Sequence, residues 1–245
     1  MRWILVAQIA LAIGIMGGDV LGALPDGLPR QAPAAAPDVP VSPGDQTRRF
    51  LPDRMLPDRP GTPGLPASEP LPRRLAWNET TIDGVAALDL AGTIAPGDAA
   101  RFVEYLDGRP EPPRLVTLRS PGGSVTDALA IGRRLRAEGI GTRVERGAIC
   151  LSSCPYLLAG GVQRAISRTA RVGVHQHFFG RSTVLPAFIA VADIQRGQAE
   201  VLTYLDEMGV DPMLAAKAMA TPSNEIYILV PEESEALTLA TTVID

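Results

Sequence analysis

The stretch that decides the fold is Arg114-Leu115-Val116-Thr117-Leu118-Arg119-Ser120-Pro121-Gly122-Gly123-Ser124-Val125. Leu115, Val116 and Leu118 make a short apolar run of strand length, and Ser120-Pro121-Gly122-Gly123 ends it with turn residues. From Ser124 onward, Val125, Ala128, Leu129, Gly132 and Leu135 recur at helical spacing, with Arg133, Arg134 and Arg136 opposite. Gly139 and Gly141 close that helix. A strand feeding a helix through a tight glycine turn is the repeating unit of an α/β domain.

The alternation continues outward on both sides. Residues 85–90 read as an earlier strand, and Pro96-Gly97-Asp98 starts a helix over residues 99–106. Downstream, a strand at 142–144 precedes an apolar helical stretch over 156–159 and a strand over 170–174 that ends at His175. Residues 186–208 form a long helix with Val191, Ile194, Val201, Leu205 and Met208 on one face. A short helix at 214–219, a strand at 225–230 and a helical turn opened by Pro231-Glu232 complete the chain. The fold class is α/β, in a single domain over residues 76–245; about 170 residues suit one core.

The N-terminal third is of another kind. Met1-Arg2-Trp3 precedes an apolar run over residues 4–16, followed by Gly17-Gly18-Asp19. This pattern predicts a signal peptide over residues 1–23. If it is not cleaved, the same segment tethers the chain to a membrane, although the run is shorter than the roughly 20 apolar residues a spanning helix needs. Thirteen of the 23 prolines fall between Pro25 and Pro72. Residues 24–75 therefore read as a disordered, polyproline-leaning linker without the apolar periodicity of a core. The expected localisation is exported, in a periplasm-like compartment.

Charge and composition remove several function classes. The net charge is −4, and residues 76–245 hold 15 of the 23 cations against 20 of the 27 acids. Such a domain lacks the basic footprint that nucleic-acid binding needs. Lys217 is the only lysine, so lysine chemistry has one address. His175 and His177 are the only histidines, so imidazole chemistry also has one address.

Three features could compose one site. Gly122 and Gly123, beside a helix start, can present bare backbone N–H groups to an oxyanion, although alone they read first as a tight turn with no ligand. Ser152 and Ser153 precede an apolar helix, where a serine also serves as a cap. His175 closes a strand. Cys150 and Cys154 flank the serines. An even cysteine count in an exported chain points to a disulfide, with a Cys₂His₂ zinc site as the other reading.

Taken together, these residues resemble the ClpP-type serine peptidases. Ser120-Pro121-Gly122-Gly123-Ser124-Val125-Thr126 is similar to their oxyanion turn, and Ser152 lies 30 residues after Gly122, at the spacing of their nucleophile. Leu157-Leu158 and Val174-His175-Gln176 are similar to the helix behind the nucleophile and to the catalytic-histidine strand. Glu225, six residues before Pro231-Glu232, stands where the family carries its acid, usually Asp. The cysteine-flanked serine is most similar to an exported branch of the superfamily.

The resemblance implies a ClpP/crotonase-type spiral of β-β-α units and a triad of Ser152, His175 and Glu225. It implies an oxyanion site at Gly122, Gly123 and Ser153, with the donors being the Gly123 and Ser153 N–H groups. It implies a peptide or unfolded-protein substrate, no cofactor, no metal, and assembly into a homo-oligomer. A Ser–Lys dyad through Lys217 and a crotonase-type acyl-CoA enzyme are the rival enzymatic readings. A catalytically inactive binding or scaffold domain is the alternative from another class; Glu225 in the acid position and Pro155 early in the helix favour it.

Overall fold

In the computed structural model, residues 47–49, 71–177 and 187–245 are described. The expected signal segment over residues 1–23 lies outside them, as does most of the expected linker. Among the described residues no helix is long and apolar enough to cross a membrane.

Among the described residues ten strands and six helices follow one another. They are β1 (Thr47–Arg49), β2 (Ala76–Ile82), β3 (Val85–Ala91), α1 (Asp98–Asp107), β4 (Leu115–Arg119), α2 (Val125–Ala137), β5 (Gly141–Val144) and β6 (Ile149–Leu151). Then come α3 (Cys154–Gly160), β7 (Arg164–Ser167), β8 (Arg171–Val174), α4 (Ala187–Glu207), α5 (Met213–Ala220), β9 (Glu225–Leu229), α6 (Pro231–Ala236) and β10 (Thr242–Ile244). They form a mixed α/β domain with two sheets. The larger sheet has the order β10-β7-β5-β4-β3-β2, parallel throughout except for the β2–β3 pair. The smaller has the order β1-β9-β8-β6, with β6 and β8 parallel and the other pairs antiparallel.

The opening motif folds as its pattern predicts. Val116 and Leu118 of β4 are fully buried, and so are Ala128, Leu129, Ile131 and Leu135 of α2. Ser124 caps α2 by accepting from the Asp127 N–H. The arginines opposite are not all solvent-facing: Arg136 turns back and donates to the carbonyls of Ala159, Gly160, Gly161 and Met208, satisfying a helix end. Gly132 and Gly160 let α2 and α3 cross in close contact. A Cβ on Gly160 would stand 2.4 Å from the Gly132 carbonyl oxygen, and one on Gly132 would stand 1.9 Å from the Tyr204 hydroxyl.

Two described stretches fall within residues 24–75. β1 lies antiparallel to β9 within the stretch read as linker. Leu75 is fully buried. The reason is Asp98, itself buried, which accepts from Arg74 Nε at 2.6 Å, Ala95 N–H at 2.7 Å and Leu75 N–H at 3.2 Å. Burial raises the Asp98 pKa, but the Arg74 and Arg101 guanidiniums and the two N–H donors outweigh it and hold the carboxyl below its usual range.

Candidate active site

β6 and β8 run side by side, with Cys150 opposite Val172 and Leu151 opposite Gly173. The strand order places the ends of these two strands together, so the turn after β6 meets the residue after β8. Ser152 occupies that turn with φ +62°, in the left-handed region that a non-glycine residue resists. Its N–H donates to the Gly173 carbonyl at 2.9 Å. Its Oγ lies 2.7 Å from Nε2 of His175, which is 6% exposed. These are the serine and histidine that the spacing singles out.

The other face of the ring departs from expectation. Nδ1 of His175 lies 2.9 Å from the backbone carbonyl oxygen of Ser223, and a carbonyl can only accept, so Nδ1 donates. Glu225 was expected to hold this nitrogen with its carboxylate; it acts on the ring through its backbone. The physical reason is the turn before β9, closed by the Glu225 N–H on the Pro222 carbonyl at 2.9 Å. That turn carries the main chain of Ser223 up to the imidazole. Burial lowers the His175 pKa, and the bonds to the Ser223 and Glu225 backbone partly oppose it.

The glycine turn packs directly on the serine. Gly122 and Gly123 have φ +98° and +145°, and a Cβ on Gly122 would stand 2.5 Å from the Ser152 Cβ. One on Gly123 would stand 2.1 Å from the Ile94 carbonyl oxygen. The Gly122 N–H is occupied by the Ser120 hydroxyl at 3.1 Å, so Gly122 supplies close approach rather than a donor. The Gly123 and Ser153 N–H groups donate to no acceptor among the described residues. A cavity of about 580 Å³ opens here, lined by Pro121, Gly122, Gly123, Ser152, His175 and His177 among others.

A second cavity of about 280 Å³ shares His175 and His177 with the first and extends between Tyr156, Ile194, Val201 and Met219. In sequence Tyr156 stands in an apolar helical run. Its hydroxyl lies 2.9 Å from Nε2 of the half-buried His177, and burial pushes the tyrosine pKa up, which keeps the phenol neutral. The Tyr204 hydroxyl bonds the Tyr156 carbonyl at 2.6 Å. Tyr156 lies in the first turn of α3, four residues along the chain from Ser152, and that closeness in sequence is the signal that could have marked it. Ser223 contributes through its main chain, which no side-chain motif reveals.

The remaining candidates resolve as follows. Cys150 and Cys154 form a disulfide, with Cα atoms 5.1 Å apart. Their sulfurs are therefore bonded to each other and not open to a Cys₂His₂ zinc site. Lys217 pairs with Glu233 at 2.9 Å and approaches the Tyr227 hydroxyl at 3.5 Å, so its ammonium is engaged by these two groups.

No protein-family profile matches the chain. No curated protein matches it in sequence. In structure it is similar to a peptidase from Plasmodium falciparum, seen in a crystal structure, with a TM-score of 0.50 and 12% identity. The match covers 65% of this chain and 95% of that one. At this identity the likeness extends to the fold alone.

Proposed function

We propose that the chain is an exported serine peptidase of ClpP/crotonase-type fold that cleaves peptide bonds through Ser152 and His175. The observation that carries the reading is the 2.7 Å contact between Ser152 Oγ and His175 Nε2, made by a serine held at φ +62°. Serine at its free pKa is a weak nucleophile and needs a base within hydrogen-bond reach. Nδ1–H given to the Ser223 carbonyl leaves Nε2 as the lone-pair nitrogen, the tautomer a general base requires.

In this mechanism Ser152 Oγ attacks the scissile carbonyl carbon as His175 Nε2 takes its proton. The oxyanion settles on the Gly123 and Ser153 N–H groups, donors with no acceptor of their own among the described residues. Losing one such donor costs about 3 kcal/mol of transition-state stabilisation. The imidazolium then gives its proton to the leaving amine, and water repeats the sequence to release the acyl group from Ser152. The acidic domain argues against nucleic acid as a substrate. The disulfide fits an oxidising compartment, and assembly into a homo-oligomer belongs to the same reading.

The second reading, an inactive binding domain, is favoured by the Ser223 main-chain carbonyl at Nδ1, which brings a dipole and no charge to the ring. A fluorophosphonate probe and a peptide library, applied to wild type beside Ser152→Ala, decide between them. Serine-dependent labelling and cleavage are expected. Absence of both in the wild type would establish the binding domain.

A further inference from the structure

Ser152 is held in its left-handed conformation from three sides. Its N–H is fixed on Gly173, Gly122 presses on it with no side chain, and the disulfide closes the five-residue loop that contains it. Cys150 lies in β6 and Cys154 is the first residue of α3, and both are fully buried. The crosslink therefore ties the strand that ends before the serine to the helix that begins after it. Of the three constraints it is the only one that redox chemistry can make or remove.

We propose that formation of the Cys150–Cys154 disulfide brings Ser152 into line with His175, so that the serine reacts about tenfold faster or more in the oxidised chain. This inference rests on Ser152 being the nucleophile. Without the crosslink the backbone of residues 150–154 regains other conformations, and the left-handed residue relaxes toward negative φ, which carries Oγ away from Nε2. The preference against that conformation corresponds to roughly 5- to 30-fold in population. In the activating step the two thiols lose their protons and form one S–S bond. The electron pair reduces an external disulfide (oxidised glutathione, or the disulfide of a thiol oxidoreductase), which leaves as two thiols. A chain made in a reducing compartment is thus slowed and gains its full reactivity after transfer to an oxidising one.

The test measures fluorophosphonate labelling of Ser152 in the full chain, together with kcat and KM on a cleaved peptide. It compares the oxidised protein, the dithiothreitol-reduced protein, the protein reoxidised with oxidised glutathione, and the Cys150→Ala/Cys154→Ala double variant. Near-ultraviolet circular dichroism monitors the fold. The reduced and double-variant proteins are expected to stay folded and label about tenfold more slowly or worse, with kcat lowered and KM little changed. Reoxidation should restore the wild type and leave the double variant unaffected. Labelling of the reduced protein at the oxidised rate overturns the proposal. Unfolding of both the reduced protein and the double variant also overturns it, because the crosslink then supports the domain rather than the serine. An oxidised wild type that does not label takes down the nucleophile assignment and this inference together.

Discussion

Nδ1 of His175 donates to the carbonyl oxygen of Ser223 at 2.9 Å, so a main-chain group occupies the place where a carboxylate was expected. A carbonyl fixes the ring and its tautomer as a carboxylate does, but supplies only a dipole to the imidazolium that forms in the reaction. Glu225→Gln should therefore change probe labelling and peptide turnover by less than about tenfold, where neutralising a true triad acid costs on the order of 10⁴. A drop of that larger size would restore Glu225 to the triad.

The two adjacent serines should separate cleanly. Ser152→Ala is expected to abolish labelling and leave the fold intact. The Ser153 hydroxyl is buried and finds no hydrogen-bond partner among the described residues. Its removal in Ser153→Ala should be neutral or stabilise by about 1 kcal/mol, with labelling retained. Thermal unfolding beside the labelling rate reads both effects; loss of labelling in Ser153→Ala alone would reverse the assignment.

Acid should weaken both activity and stability, and the signs follow from burial. Burial lowers the His175 pKa below 6.5, so the midpoint of the acid limb of kcat/KM should lie below that value. His177 is lowered as well, by burial first and the neighbouring His175 charge second. For both residues the unfolded chain binds the proton first as pH falls. Their stability contribution is therefore complete above about pH 6.5 and declines as pH drops through the folded-state values. Denaturant midpoints measured from about pH 8 down to pH 5 should decrease monotonically; a rise toward acid would contradict buried neutral imidazoles.

Glycine substitutions test the packing of the turn on the serine. Gly122→Ala places a methyl 2.5 Å from the Ser152 Cβ, and Gly123→Ala places one 2.1 Å from a backbone oxygen. Each should reduce labelling by on the order of 10² or more. Gly147 is the control: its φ is +71°, but a Cβ there meets nothing within 4 Å. Gly147→Ala should cost about 1 kcal/mol of stability and leave labelling unchanged. Equal loss of activity in all three would show that strain alone, and not contact with Ser152, is responsible.

Helices are more legible in this sequence than its short strands. The helices over residues 98–107, 125–137 and 187–207 carry enough turns for an apolar face to recur. β2 is a sheet edge with four of its seven residues exposed, so it shows little apolar alternation. β6 and β10 have three residues each and β7 four, too few for any period. Their places are set by pairing with β8, β7 and β5, partners that the linear pattern does not name.

The sequence by itself determined which side chains could do chemistry here, because one lysine and two histidines leave few choices, and it marked the turn glycines and the cysteines around Ser152. It also determined the α/β class through the alternation of short apolar runs with amphipathic helices. Only the tertiary structure decided that Ser152 and His175 meet, that Ser223 holds the far side of the ring, and that Tyr156 bonds His177. The reason is physical: side-chain identity is local and written residue by residue. The partner of a ring nitrogen depends on how two sheets and a turn bring distant backbone together, and a main-chain carbonyl is the same group at every position in the chain.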